Sequence, residues 1–370
     1  YEGVIGAQNN DKGNMFTTIT QALQYLEQCK LEASSSKIMY VAKGYYNEKL
    51  EINIPNLTII GEGISKATSS IDPLYAKAEF DNATIIEWDS LYSIEDEGGY
   101  YQITDSTATV AIREAAVNVT IKNLTISNYW NCEEVFQKEI DYLTKHGIAS
   151  NGTVNDHRAL ALIVQADKFT LDGCSLLGYQ DTVEFMTGRQ FVHNTFIEGN
   201  TDFIFGTNAT TYFYKSEIYV NNKNGSGYIT AFKGANKGAE DYVDYGLIFD
   251  ECKFTADSRI AKGAFALGRP WGSYSQVMIM NSEIGAHVGK TKDSRYVSMS
   301  GVNPTDPTVH YREYNNTGDA ALTEAIEGME LSSASLAANY NNISVIFGTV
   351  NGALRYQDSW VPALYTELNK

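Results

Sequence analysis

Three consecutive segments share one pattern and decide the fold: FTLDGCSLLG (169–178), QFVHNTFIEG (190–199) and TYFYKSEIYV (211–220). Each is a short β-rich run of alternating character, bounded by Gly, Asn or Asp, which is typical of strands. IFDECKFTA (248–256) and VMIMNSEIGA (277–286) continue the series. Aligned on a central small residue, the segments step by 21, 21, 36 and 30 residues through Cys174, Thr195, Ser216, Cys252 and Ser282.

A repeat near 21 residues with several short strands in each turn is typical of a parallel β-solenoid. Helical units would need about ten or more residues of 3.6-residue periodicity, which these segments lack. Leucine-rich repeats have a similar period, but their LxxLxLxxN signature is absent. A β-sandwich stays an alternative, because strand spacing alone does not exclude it. We therefore predict an all-β solenoid.

Helical patterns occur near the two ends of the chain. TTITQALQYLEQCK (17–30) places an apolar stripe on one face and begins with Thr17 or Thr18 as the predicted N-cap. We expect this helix, at about residues 15–30, to cover the open end of the solenoid. SSASLAANYNN (332–342) predicts a second helix, within a C-terminal segment at about 318–370 that packs on the solenoid. A polar stretch at about 131–156 predicts a projecting loop, so residues 1–370 form one domain.

Composition excludes several classes of function. The formal net charge of −17 makes nucleic acid an unexpected partner, because binding to phosphates depends on Lys and Arg. The apolar runs are shorter than the roughly 18 residues that span a bilayer. The four cysteines contain no CxxC pair, so neither a zinc site nor a disulfide framework is predicted. We expect Cys174 and Cys252 to be buried free thiols.

Two aspartates occupy the same position of the repeat. Asp181 lies seven residues after Cys174, and Asp202 lies seven residues after Thr195. Neighbouring coils stack about 4.8 Å apart, so the two carboxyl groups should face each other. Stacked like charges destabilise unless one group holds a proton or a cation intervenes. The pair therefore predicts acid and nucleophile chemistry, with solvated turn residues or a calcium site as the alternatives.

Three motifs around this pair resemble the active-site segments of the pectin methylesterases, which are carbohydrate esterases with a right-handed parallel β-helix. The motifs are GYQDT (178–182), DFIFG (202–206) and LGRPW (267–271). Supporting similarity extends through SGYITA (226–231) and MSG (299–301) and covers most of the chain. The resemblance implies hydrolysis of methyl esters of galacturonate in pectin, without a metal or cofactor.

The resemblance also assigns roles to individual residues. Asp202 is expected to be the nucleophile and Asp181 the general acid and base. Arg269 would orient Asp202 and keep it ionised, and Gln180 would stabilise the oxyanion. The expected substrate-binding residues are Trp271, Tyr179, Phe203, Thr109 and Met299.

Arg158 departs from the family pattern. Many members have Gln in an HQAVAL-like segment, whereas this chain has HRALAL (157–162), with Arg158 in that place. A guanidinium could bind the oxyanion more strongly than an amide, but it would also weaken Asp181 as an acid. Alternatively, Arg158 binds a galacturonate carboxylate. The residues do not decide between these two roles.

The chain lacks the motifs of other hydrolase classes: it has no GxSxG serine elbow and no HExxH zinc motif. A pectate or pectin lyase and a non-catalytic pectin-binding solenoid stay as alternatives. The resemblance implies methylesterified polygalacturonan as the partner, with no nucleic acid and no membrane. We expect a secreted or periplasmic monomer that prefers highly methylated pectin, since its net charge should repel de-esterified pectate.

Overall fold

The chain winds into stacked coils, each built from short strands that turn at fixed positions. A computed structural model describes residues 5–9, 12–29, 32, 34–66, 82–88, 93–95, 101–103, 108–128, 159–221, 225–236, 245–348, 358 and 360–369. Strands are numbered β1–β27 and helices α1–α4 in chain order. Strands of successive coils pair in parallel, so the coils form three long sheets.

The first sheet carries the motifs singled out in the sequence. Its strands are β5 (Leu50–Ile52), β10 (Val110–Ile112), β13 (Leu162–Val164), β16 (Val183–His193), β18 (Thr201–Tyr214), β20 (Gly227–Phe232) and β23 (Phe265–Pro270). Strands β16 and β18 are long enough to continue into the second sheet, so they join two faces of the solenoid without a break.

The second sheet contains, besides the ends of β16 and β18, β3 (Lys37–Val41), β6 (Leu57–Gly61), β11 (Thr120–Lys122), β14 (Phe169–Asp172), β21 (Leu247–Asp250), β24 (Gln276–Met280), β26 (His310–Tyr314) and β27 (Glu330–Leu331). The third sheet contains β4 (Gly44–Asn47), β7 (Thr84–Glu87), β12 (Thr125–Ser127), β15 (Ser175–Leu177), β17 (Phe196–Gly199), β19 (Glu217–Val220), β22 (Lys253–Ala256) and β25 (Glu283–Ile284). Four strands lie outside these parallel ladders: β1 (Ile5–Asn9), β2 (Lys12–Phe16), β8 (Ser93–Glu95) and β9 (Tyr101–Ile103).

The 21-residue repeat corresponds to one coil. The strand registers of the third sheet align Cys174, Thr195, Ser216, Cys252 and Ser282 as stacked neighbours, as the sequence alignment predicts. All five side chains are buried. Each follows a residue with a left-handed backbone, and such a residue turns the chain from the second sheet into the third: Gly173, Asn194, Lys215, Glu251 and Asn281. The coil before Cys174 has the same left-handed corner at Asn123, and there the larger Leu124 occupies the buried position.

The predicted N-terminal helix is present as α1 (Ile19–Gln28). Thr18 is its N-cap and accepts a hydrogen bond from the Gln21 N–H. The apolar stripe of Ile19, Ala22, Leu23 and Leu26 is buried against the first coils. The helix therefore covers the apolar interior that would otherwise be open at this end.

The C-terminal segment forms three short helices: α2 (Ala334–Tyr340), α3 (Ile343–Ile346) and α4 (Ala363–Leu368). Tyr340, Ile346 and Phe347 pack against the outer face of the second sheet, which presents Phe191, Tyr212, Ile248 and Met278. Buried Arg189 joins the two parts through ion pairs with Asp167 and Asp358. The C-terminal segment thus extends the core on the outside of the solenoid.

Cys174 and Cys252 are buried free thiols, as predicted. Burial raises the pKa of each thiol to about 12, so both stay protonated and chemically inert at neutral pH.

Cys132 and the predicted loop at 131–156 lie outside the described residues. None of the described helices is long and apolar enough to span a membrane. A single domain stays a prediction.

Candidate active site

The structure brings Asp181 and Asp202 together on adjacent coils. Gln180 pairs in parallel with Thr201, and the Asp181 N–H donates a hydrogen bond to the Thr201 carbonyl at 3.0 Å. The aspartates follow these two residues, so they occupy equivalent places one coil apart. Their side chains are largely buried, with exposures of 5% for Asp181 and 6% for Asp202. The two carboxyl groups therefore lie in the same partly desolvated region of the surface.

Both aspartates sit where the strand geometry is interrupted. Asp181 has a φ of 59° and Asp202 has a φ of 46°, in the left-handed region. Pairing between β18 and β20 slips by one residue between Thr201 and Ile204, which is a β-bulge. A bulge redirects the side chain of its extra residue. Asp and Asn tolerate the left-handed region better than most residues do, so aspartate suits this position on both counts.

Arg269 holds the Asp202 carboxylate with both oxygens engaged. Its Nε donates to Oδ1 at 2.8 Å, and its Nη2 donates to Oδ2 at 2.5 Å. Burial lowers the pKa of the Arg269 guanidinium, but the hydrogen bonds and charge of Asp202 outweigh burial and raise it. The guanidinium therefore stays charged and favours the ionised form of Asp202.

A row of outward-facing residues runs along the first sheet beside the aspartates. Strand registers align one residue per coil: Ala111, Ile163, Glu184, Phe205, Ala231 and Arg269. Ala111, Ile163, Phe205 and Ala231 belong to one small apolar cluster on this face. Trp271 packs edge-on against Phe205, with ring centroids 5.8 Å apart. The row is mostly apolar and lies close to the carboxylate pair, with Trp271 at one side; its members from Ala111 to Ala231 are buried, with exposures of 0–7%.

Three of the predicted substrate-binding residues are buried. Phe203 has 0% exposure and packs in the main core, where its ring lies against Gly199. Thr109 also has 0% exposure, and its hydroxyl donates to the Ser127 carbonyl. Tyr179 is 2% exposed. These side chains stabilise the coils, and their assignment to substrate binding stays a prediction.

The bulge explains why the Phe203 side chain is buried. Phe203 and Ile204 both point into the core, although consecutive strand residues normally alternate, and Phe205 takes the outward position. Of the two phenylalanines in DFIFG, the second therefore belongs to the outward row. Sequence alternation could not reveal this, because a one-residue bulge reverses the phase of every later residue in the strand.

The other predicted residues have varied positions. Gln180 and Trp271 are half-buried beside the pair, and Met299 is half-buried in a tight hairpin closed by its bonds to Val302. That hairpin follows a segment that runs along β23, since Val297 N–H donates to the Gly268 carbonyl. Arg158 lies outside the described residues. No cluster of three or more metal-ligating side chains occurs in the part of the chain that the structure describes.

Comparison with known proteins bears on this geometry. The sequence model of the family described as Pectinesterase matches residues 135–341, more than half of the chain. The chain belongs to the pectinesterase family. A pectinesterase of Aspergillus aculeatus is 29% identical over 307 residues, which cover 83% of this chain and 79% of that protein. The prediction of the family from GYQDT, DFIFG and LGRPW is thus confirmed.

Solved structures of pectin methylesterases have the same fold. The enzyme from Aspergillus niger is 26% identical, with a TM-score of 0.64 and 91% of each chain covered. A pectin methylesterase in complex with a hexasaccharide is 22% identical, with a TM-score of 0.69 and 96% of each chain covered. Together with the parallel sheets, these similarities confirm the predicted right-handed parallel β-helix.

Proposed function

We propose that this pectinesterase-family chain removes methyl esters from galacturonate units of pectin, and that Asp202 and Asp181 carry out the reaction. One observation carries the assignment of residues: the Asp202 carboxylate is held by Arg269 through both oxygens, one coil away from Asp181. An oriented, ionised carboxylate beside a second carboxyl group is the arrangement that a nucleophile and a general acid need.

In the first half of the reaction, an oxygen of Asp202 attacks the ester carbonyl carbon. The carbonyl oxygen becomes an oxyanion, for which Gln180 is the proposed hydrogen-bond donor. The bond to the methoxy oxygen then breaks, and Asp181 gives its proton to that oxygen, so methanol leaves. The product of this half is a mixed anhydride between Asp202 and the galacturonate carboxyl group.

In the second half, Asp181 is ionised and takes a proton from water as the water oxygen attacks the anhydride. Cleavage releases the galacturonate carboxyl group as an acid, which then loses its proton to solvent, and restores the Asp202 carboxylate, with Asp181 again protonated. The sum is ester plus water giving methanol and an acid, so no oxidant, metal or cofactor is required. Arg269 keeps its charge throughout, which favours Asp202 as the leaving carboxylate.

The outward row gives the substrate a surface along the solenoid. Ala231 and Phe205 offer an apolar floor to sugar rings and methyl ester groups, and Trp271 offers an aromatic wall.

We further propose a secreted or periplasmic monomer whose net charge of −17 disfavours fully de-esterified pectate. Arg158 is proposed to bind either the oxyanion or a galacturonate carboxylate.

The test is an incubation with highly methylated pectin, in which methanol release and the absorbance of unsaturated uronides are followed together. Methanol without unsaturated product is expected. Unsaturated product would instead indicate a lyase, and neither product a binding solenoid. Asp202→Ala should keep the fold and abolish methanol release. Asp257→Ala is a matched control, because Asp257 also pairs with an arginine, Arg259, but away from the proposed site.

A further inference from the structure

Arg269 reaches Asp202 across an intervening coil. Strand β20 pairs with β18, which carries Asp202, on one side and with β23, which carries Arg269, on the other. Two strand spacings amount to roughly 9–10 Å. The guanidinium must therefore extend over β20 to bind the carboxylate, and a side chain with four rotatable bonds loses much conformational freedom in doing so.

Tyr228 lies on β20 in the middle of this path. Its backbone pairs with Thr201, the residue before Asp202, and with Ala266, three residues before Arg269. The guanidinium carbon of Arg269 stands 3.9 Å from the centre of the Tyr228 ring. Arg269 thus has its edge against a carboxylate and its face against an aromatic ring, which are the two contacts that a planar guanidinium makes best.

The backbone holds Tyr228 close to the coil of Asp202. The Tyr228 N–H donates a hydrogen bond to the Asn200 carbonyl at 3.2 Å. A Cβ built on the preceding Gly227 would stand 1.9 Å from that same oxygen, so only glycine permits this approach. The ring is half-buried, which excludes part of the water that would otherwise compete for the guanidinium.

We propose that Tyr228 is a positioning residue: its ring supports the Arg269 guanidinium from below, so that Arg269 holds the Asp202 carboxylate aligned for attack on the ester. This role follows from the contact between the Tyr228 ring and the Arg269 guanidinium, and it rests on the function proposed above. Tyr228 itself need not touch the reacting atoms. Its effect on the reaction passes through Arg269.

The proposal separates the aromatic ring from the hydroxyl group. Tyr228→Phe keeps the ring face, so its kcat on methylated pectin should stay within about twofold of the original. Tyr228→Leu keeps an apolar side chain but loses the ring face, and its kcat should fall roughly threefold to thirtyfold. KM should change little in either variant, because the ring supports the nucleophile rather than the substrate.

A control and a direct measurement complete the test. Tyr219→Leu removes another aromatic contact, that with Phe196 in the third sheet, and should leave kcat unchanged. Hydrogen exchange at Arg269 Nε, followed by ¹⁵N NMR without substrate, should be faster in Tyr228→Leu and unchanged in Tyr228→Phe. This second measurement does not depend on pectin being the substrate.

Distinct outcomes separate failure of this proposal from failure of the proposed function. If the unmodified protein releases no methanol, the function is wrong, and the exchange measurement alone decides the role of Tyr228. If methanol is released but Tyr228→Leu matches Tyr228→Phe in kcat and in Arg269 exchange, the positioning role is wrong. An equal loss of kcat in both variants would assign the effect to the hydroxyl group and would also overturn it.

Discussion

Asp181 and Asp202 share an unusual backbone conformation on adjacent coils, with φ values of 59° and 46°. A left-handed aspartate is less favourable than a regular strand residue by an amount of order 1 kcal/mol. The solenoid contains two such residues at equivalent positions of adjacent coils. As a result, neither carboxyl group follows the alternating side-chain direction of the sheet. Backbone strain and proposed chemistry coincide at these two residues.

The first prediction concerns the bidentate contact with Asp202. Arg269→Lys keeps a positive charge but loses the planar fork that binds both carboxylate oxygens. A hydrogen bond to a charged group is worth more free energy than one between neutral groups. Losing one at the nucleophile should therefore lower kcat for methanol release roughly tenfold to a hundredfold. KM should change much less. A lysine variant with the original kcat would show that charge alone suffices.

The second prediction separates the two phenylalanines of DFIFG. Phe203→Leu should lower the free energy of unfolding by about 1–2 kcal/mol, because it opens a space in the core, and should leave KM for methylated pectin unchanged. Phe205→Leu alters the outward floor and should raise KM while costing less stability. Urea unfolding and steady-state kinetics on both variants check this. The reverse pattern would support Phe203, rather than Phe205, as the residue that contacts the substrate.

The third prediction concerns acid stability and His287. Burial lowers the pKa of this imidazole to about 4, against 6.5 when unfolded, and its Nε2 has no hydrogen-bond partner among the described residues. The unfolded chain therefore binds the proton first, and stability is lost as the pH falls from about 6.5 to 4. A shift of that size corresponds to roughly 3 kcal/mol.

His287→Leu cannot be protonated, so it should remove this part of the pH dependence. The measurement is the difference in unfolding free energy between the variant and the original protein at several pH values. As the pH falls below 6.5, the variant should become more stable relative to the original protein. A difference that stays constant with pH would show that His287 does not contribute.

The fourth prediction concerns the link between the solenoid and the C-terminal helices. Arg189 is 1% exposed, and it bonds Asp167, Asp358 and the carbonyl of Phe347. Removing the arginine should cost less than the about 3–5 kcal/mol of a fully buried pair, because Asp167 and Asp358 are 20% and 50% exposed. Arg189→Met should therefore lower stability and speed proteolysis of the C-terminal segment, while the proposed active site on the first sheet keeps its kcat.

A matched control for Arg189 is Arg259→Met. Arg259 also forms an ion pair with an aspartate, Asp257, but its side chain is 57% exposed. Exposed pairs contribute little, so this variant should change unfolding and proteolysis hardly at all. Equal effects of the two substitutions would contradict the structural role assigned to Arg189.

The sequence predicted those features that repeat or that follow helical spacing. The period of 21 residues is sufficient to place Asp181 beside Asp202, because each coil adds a constant number of residues between equivalent corners. The apolar stripe and Thr18 were sufficient to predict α1. Family motifs then identified Arg269, which no spacing argument could have joined to Asp202, since the steps between later coils are irregular.

Side-chain direction near the site could not be predicted. Phe203 lies in a motif predicted to contact the substrate, and its side chain is buried because the bulge beside Asp202 interrupts strand alternation. Tyr228 lay within a quoted motif, SGYITA, yet nothing in one sequence indicates that an arginine 41 residues later stacks on it. Contacts between coils of equal length follow from the repeat, whereas contacts between coils of unequal length depend on loop lengths and bulges.

The contact between Asp202 and Arg269 joins residues 67 positions apart. A shortened chain that ends before β23 would contain both aspartates but lack the guanidinium, so methanol release would report that the coils from β16 to β23 have wound together. Two separately expressed pieces, divided between β20 and β23, would regain activity only by reassembling. The family reaction would then serve as a complementation reporter for the assembly of a solenoid.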